Sequence, residues 1–302
     1  MEFVFGPVSS RRFGISLGVD LSPDKKRCNF DCLYCELKAA KPVNFFDNPA
    51  APETIVNEVI EKLKSCSPDV LAITANGEPT LYPFLDRLID LLLAVKERPK
   101  LMILSNSSTI GDQKISNAIA KLDIVKLSLD SALTKSFKKV DRAIAPIEIN
   151  EIIEAIAAFK RRFSQFLTIE VLLVANVNDS DADFDALNAA LRYINPDRID
   201  IGTIDRPSAY KVSAVANETM QVLADRLNGL NTQIIPNKRA IAKQSFSENE
   251  LINLLKRRSL SLNEAKAILD EKSLTLLDEL AKTDKAKITI KTETPFYTLN
   301  AF

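Results

Sequence analysis

The chain has 302 residues, 46% of them hydrophobic, enough for one large packed domain and a smaller one. Its 40 Lys and Arg balance 40 Asp and Glu, so no global field draws nucleic acid or anionic lipid to the surface. The absence of His removes imidazole as metal ligand, proton shuttle or triad base, and with it most hydrolase mechanisms.

The N-terminal MEFVFGPVSSRR lacks a basic segment followed by an apolar one. No apolar run approaches the roughly 20 residues of a membrane span, so a cytoplasmic protein without membrane contact is expected. Three of the four cysteines fall between residues 28 and 35, unlike an evenly spread disulfide framework. Reduced thiols serving as ligands fit better.

Short β-branched runs alternate with amphipathic stretches from residue 15 to about 235, the pattern of repeated β-α units around a parallel sheet. Six strands are predicted, at 15–21, 70–75, 101–105, 124–130, 167–174 and 198–203. Helices are predicted at Pro52–Cys66, with Ile55, Val59 and Leu63 on one face, and at Phe84–Lys96 and Asp112–Leu122. Others follow at Ile147–Phe163, with Ile149, Ile153 and Ile156 on one face, at Asp181–Tyr193 and at Ala214–Leu227. Such units predict an α/β protein, a partial (β/α)6 TIM-like barrel over residues 1–235 with its site at the C-terminal strand ends.

The basic, polar stretch PNKRAIAKQSF reads as a linker over 236–246, and a second domain over 247–302. There SENELINLLKRR, SLNEAKAILD and SLTLLDELAK read as helices, the second opening with Ser261 and Glu264 at capping-box spacing, and KITIKTETPFYTL as a hairpin. Three helices and a hairpin match a winged helix, used on DNA and for protein contacts. This segment holds as many acidic as basic side chains, which argues against DNA as a partner.

Cys28, Cys32 and Cys35 form a C-x3-C-x2-C run just after the first predicted strand. Three thiolates on one loop can ligate three irons of a cubane and leave the fourth open to substrate or cofactor. Structural zinc wants four closed ligands, and with no His only distant Cys66 could complete them. Cys66, at a helix end, reads as a small buried hydrophobe.

After the second predicted strand comes Asn76-Gly77-Glu78-Pro79-Thr80. A sharp turn there presents carbonyls and a carboxylate able to accept from an ammonium group. The third strand ends in Ser105-Asn106-Ser107-Ser108, and the fourth carries Lys126, Ser128 and Asp130 at alternate positions. Arg142 and Arg206 are placed either to grip a substrate carboxylate or phosphate or to serve as surface charges.

The cysteine run, with an aromatic before its last cysteine, resembles the signature of the radical S-adenosylmethionine (SAM) superfamily. The Asn76–Pro79 loop resembles that family's GGEP motif, with Asn for the first Gly. The resemblance implies a [4Fe–4S] cluster on Cys28, Cys32 and Cys35. It also implies SAM held by Asn76, Gly77, Glu78 and Pro79, by Ser105, Asn106, Ser128 and Asp130, and by Tyr34 near the adenine. The implied reaction is reductive cleavage of SAM to methionine and a 5'-deoxyadenosyl radical, which takes a hydrogen atom from a substrate. An electron donor such as flavodoxin or ferredoxin is implied. The substrate is open between a small molecule, a protein and a tRNA.

Residues 6–14, GPVSSRRFG, with LGVDLSP, look like the iron-sulfur oxidoreductases related to wyosine-base tRNA synthases. Those synthases carry further N-terminal cysteines, and here none precedes Cys28, which argues against wyosine chemistry itself. Two rival expectations are an activating enzyme that installs a glycyl radical in a partner protein, and a redox-sensing regulator whose winged domain binds DNA.

Overall fold

The computed structural model describes residues 2–10, 12–235, 243–257, 259–283, 286–291 and 294–299. Eight strands form one sheet in chain order: β1 (Val4–Ser10), β2 (Gly14–Asp20), β3 (Val70–Thr74), β4 (Lys100–Ser105), β5 (Ile124–Ser128), β6 (Phe166–Leu173), β7 (Arg198–Thr203) and β8 (Thr232–Ile234). Pairing from β2 to β8 is parallel throughout, and β1 lies antiparallel on the edge. Helices α1 (Pro52–Leu63), α2 (Leu85–Leu93), α3 (Gln113–Ile119), α4 (Thr134–Val140), α5 (Ile149–Arg162), α6 (Asp181–Ile194) and α7 (Asn217–Arg226) form the crossovers. The architecture is a partial TIM-type barrel.

The expectation of six strands is corrected to eight. Gly6-Pro7 looks like a strand breaker, yet the register shifts between Phe5 and Val8, and a bulged edge strand tolerates a residue without an N–H. Strand β8 is three residues long, too short to show a period. Helix α4 was not predicted either; it buries only Ser136, Phe137 and Val140.

Alternation along the strands sorts the sheet into two faces. Leu71 and Ile73, Leu101 and Ile103, Val125 and Leu127, and Leu167 and Ile169 belong to the large core under the helices. The inner face starts with an apolar layer of Val70, Ala72, Met102, Ile124 and Phe166. Nearer the C-terminal ends it turns polar, with Thr74, Lys126, Ser128 and Glu170 lining a cavity.

The C-terminal segment holds α8 (Glu248–Arg257), β9 (Leu260–Ser261), α9 (Leu262–Ile268), α10 (Glu271–Lys282), β10 (Lys287–Lys291) and β11 (Thr294–Thr298), with the sheet order β10-β11-β9. Leu251, Leu254, Leu255, Ile268, Leu277 and Tyr297 make its core, which Phe5 and Val8 of β1 join. Residues 236–242 of the expected linker lie outside the described residues. Within the remainder, Phe246 is buried in this core, and its N–H donates to Ser273 Oγ at 2.7 Å. No described helix is long and apolar enough to cross a membrane.

Candidate active site

Two loops meet at the C-terminal ends of β2 and β3. The Arg27 N–H donates to the Asn76 carbonyl at 2.9 Å, and the Glu78 N–H donates to the Arg27 carbonyl at 2.8 Å. A Cβ on Gly77 would lie 1.8 Å from that Arg27 oxygen, and Gly77 has φ +139°, so residue 77 must be glycine for the loops to touch. Arg27 is itself anchored from Nη1 to Ser22 Oγ at 2.7 Å and from Nε to Asp47 at 2.8 Å. Cys28, Cys32 and Cys35 follow, all lining the same cavity of about 460 Å³ as Gly77 and Glu78.

Glu78 is 1% exposed and is held by four donors from its own turn and the end of β4. Its Oε1 accepts from Thr80 N–H at 3.0 Å, Thr80 Oγ1 at 2.6 Å and Ser105 Oγ at 2.8 Å. Its Oε2 accepts from the Asn106 N–H at 2.6 Å and keeps capacity for one further donor. Burial still raises its pKa against these bonds. Asn106 then reaches the cysteine loop, its Nδ2 donating to Asn29 Oδ1 at 2.8 Å and lying 3.7 Å from Cys28 Sγ. Ser105, Asn106 and Ser128 all line the cavity.

Asp130 is placed differently: it lies outside that lining. Strand β5 ends at Ser128, the alternation stops there, and the carboxylate turns beneath the cysteine loop. It accepts from Tyr34 OH and, at 2.8 Å, from the Leu172 N–H. Asp141 adjoins it, accepting from Cys32 Sγ at 3.6 Å. Burial raises both carboxyls, Asp130 to about 6 and Asp141 well above its ordinary value, with Asp130 the second cause for Asp141. Tyr34 lines the cavity with its hydroxyl already committed to Asp130.

Burial likewise pushes the thiols up, Cys28 to about 12 with Glu78 as second cause, and Cys32 well above the ordinary thiol value. For Cys35, burial leads and Lys26 opposes it. Lys26, which sequence reasoning missed, lines the cavity and is held by Asp31 Oδ1 at 3.0 Å. Among the described residues no group of three or more Cys, Asp or Glu is placed to hold a single metal ion. Three thiols on one loop, without imidazole and with Lys26 and Asn106 donors beside them, suit an iron-sulfur centre better than zinc.

The two arginines singled out in the sequence differ. Arg206 lines the cavity and donates from Nη1 to Glu36 Oε1 at 3.0 Å and from Nη2 to Glu264 Oε1 at 3.5 Å. Arg142 lies outside the lining, over the Tyr210 ring at 4.4 Å and 3.7 Å from Asp31. Arg257 of α8 lines the cavity too, and nothing in its sequence neighbourhood marks it as a site residue.

The radical SAM superfamily model matches residues 24–187, more than half of the chain. A "UPF0026 protein" of Helicobacter pylori is 42% identical over 259 residues, covering 84% of each chain. Among solved structures, a radical SAM methyltransferase from Sphaerobacter thermophilus superposes with TM-score 0.55 at 15% identity, covering 72% of this chain and 66% of that one. The structure of anSMEcpe with bound AdoMet gives TM-score 0.53 at 14% identity, covering 72% and 63%.

The fold and the matched segment define a radical SAM enzyme. The chain belongs to the radical SAM superfamily, whose enzymes use a [4Fe–4S] cluster and S-adenosylmethionine.

Proposed function

We propose that Cys28, Cys32 and Cys35 hold one [4Fe–4S] cluster with an open iron, and that the Asn76–Pro79 loop, Ser105, Asn106 and Ser128 hold SAM against it. The observation that carries this reading is the backbone bridge between Arg27 and Gly77–Glu78, which sets the three thiols and the Glu78 carboxylate around one cavity. When bound, the cluster supplies the electron that splits SAM into methionine and a 5'-deoxyadenosyl radical.

The chain's own residues then have distinct tasks. Glu78 Oε2 accepts from the SAM ammonium while Oε1 ties down Thr80 and Ser105. The ring of Tyr34 faces adenine because Asp130 holds its hydroxyl, and Asp130 acts through Tyr34. The partners this reading calls for are an electron donor of the flavodoxin or ferredoxin type and a substrate held within the barrel. Residues 247–302 form a winged-helix-like domain, whose core Phe246 joins. Its Arg257 and Glu264 are turned onto the barrel, which favours a wall of the site over a DNA reader.

The test is anaerobic reconstitution followed by iron and sulfide counting, with electron paramagnetic resonance of the reduced protein before and after SAM. Four irons per chain and a signal that changes with SAM support the reading. Loss of the cluster in Cys35→Ala but not in Cys66→Ala assigns the ligands. A stable cluster whose signal ignores SAM refutes it.

A further inference from the structure

One rung deeper than Ser128 on the inner face stands Lys126, about 7 Å further from the strand ends at ~3.3 Å per residue. It lines the cavity, yet its side chain is 4% exposed. Its ammonium pairs with Glu170 Oε1 at 2.7 Å, and an ammonium carries three N–H donors. Arg12 lines the same floor and lies 2.6 Å from Glu170 and 3.2 Å from Asp200. Arg198 completes the cluster 2.8 Å from Asp200.

Buried Lys126 and half-buried Arg12, which line the cavity, and buried Arg198, outside that lining, therefore share two carboxylates, Glu170 and Asp200. Beside them, Thr168 Oγ1, the register neighbour of Lys126, is buried without a hydrogen-bond partner among the described residues. Buried donors left unpaired are costly, and almost all in native proteins are satisfied. A surplus of cationic N–H groups opening on a cavity calls for acceptor oxygens carrying negative charge.

Building on the proposed SAM reading, we infer that this floor is the substrate anchor, and that Lys126 and Arg12 bind the carboxylate or phosphate of a small anionic molecule. SAM occupies the shelf above, around Glu78 and Asn106. The substrate's anion reaches past it to the floor, which sets the C–H bond to be attacked at a fixed height.

The test uses the reconstituted full-length holoenzyme with dithionite and SAM. It is offered the small-molecule extract of cells grown in D2O, split by anion exchange, and a macromolecular fraction of the same cells. The readout is deuterium carried from substrate into 5'-deoxyadenosine. Transfer is expected from the fraction retained on the anion exchanger. The deuterated share of the product should fall about tenfold or more in Lys126→Met and in Arg12→Gln, roughly 1.4 kcal/mol of lost binding. As a second readout, inorganic phosphate and acetate should raise the melting temperature of the wild-type apo chain more than that of Lys126→Met.

No transfer from the retained fraction overturns the inference, as does transfer from unretained molecules, RNA or protein. Equal stabilisation of wild type and variant by phosphate and acetate also overturns it. A loss of SAM affinity in Lys126→Met that matches the loss of transfer assigns the floor to SAM's own carboxylate and does the same. Wild type that makes no 5'-deoxyadenosine under any condition refutes the SAM reading instead.

Discussion

Arg257 on α8 donates from Nε to Asp20 Oδ2 at 2.8 Å, joining residues 237 positions apart. The other oxygen of Asp20 accepts from the N–H groups of Ser22 and Asn76, each at 2.9 Å. One carboxylate thus couples the C-terminal segment to both loops of the site. Arg257→Ala leaves Asp20, 1% exposed, as an uncompensated buried charge, and is expected to cost about 3–5 kcal/mol in urea unfolding. Arg87→Ala, which breaks an exposed pair with Glu53, should cost under about 1 kcal/mol.

Gly77→Ala puts a methyl group onto the Arg27 carbonyl. The loops must part, with a cost of about 1–3 kcal/mol expected from overpacking. Thermal melts of the apo chain should show this loss. Cluster content after reconstitution should fall with it, because Arg27 immediately precedes Cys28.

Glu78→Gln keeps an acceptor for Thr80 and Ser105 but sets an NH2 against the Asn106 N–H. One broken charged hydrogen bond corresponds to about 1–3 kcal/mol. SAM binding, measured by equilibrium dialysis on reconstituted protein, is expected to weaken about tenfold or more, with the iron count unchanged.

Part of the pH dependence of the apo chain follows from Asp130, whose carboxyl burial raises to about 6 beside the likewise raised Asp141. Between its ordinary carboxylate value and about 6 the folded chain holds a proton that the unfolded chain has released. Stability from this group is therefore complete at low pH and is lost as pH rises through about 6. Asp130→Asn removes this group's share of the titration and leaves that of Asp141. Its melting temperature should be flatter across that window than that of wild type, and an unchanged slope would refute the assignment.

What was legible in the sequence was local. Cys28, Cys32 and Cys35 lie on one loop, and the Asn76–Pro79 turn directly follows a strand, so spacing alone exposes them. The strands with clear apolar runs, such as Leu101–Ser105 and Leu167–Leu173, were readable for the same reason. For Asp130, alternation from Ser128 points into the cavity, whereas β5 ends at Ser128 and the carboxylate meets Tyr34 and the Leu172 N–H, partners that only the fold brings to it. Lys126 was noticed for its alternation, but its pairing with Glu170 needs the neighbouring strand. Asp141 beside Cys32 and Arg257 beside Asp20 were invisible, since tertiary packing brings such distant partners together.

The most direct test of the central claim is the yield of 5'-deoxyadenosine from anaerobically reconstituted wild type and Cys32→Ala, each given dithionite and SAM. The expected result is 5'-deoxyadenosine with methionine from wild type and none above background from the variant. Equal yields from both, or an intact cluster in wild type that leaves SAM whole, would contradict it.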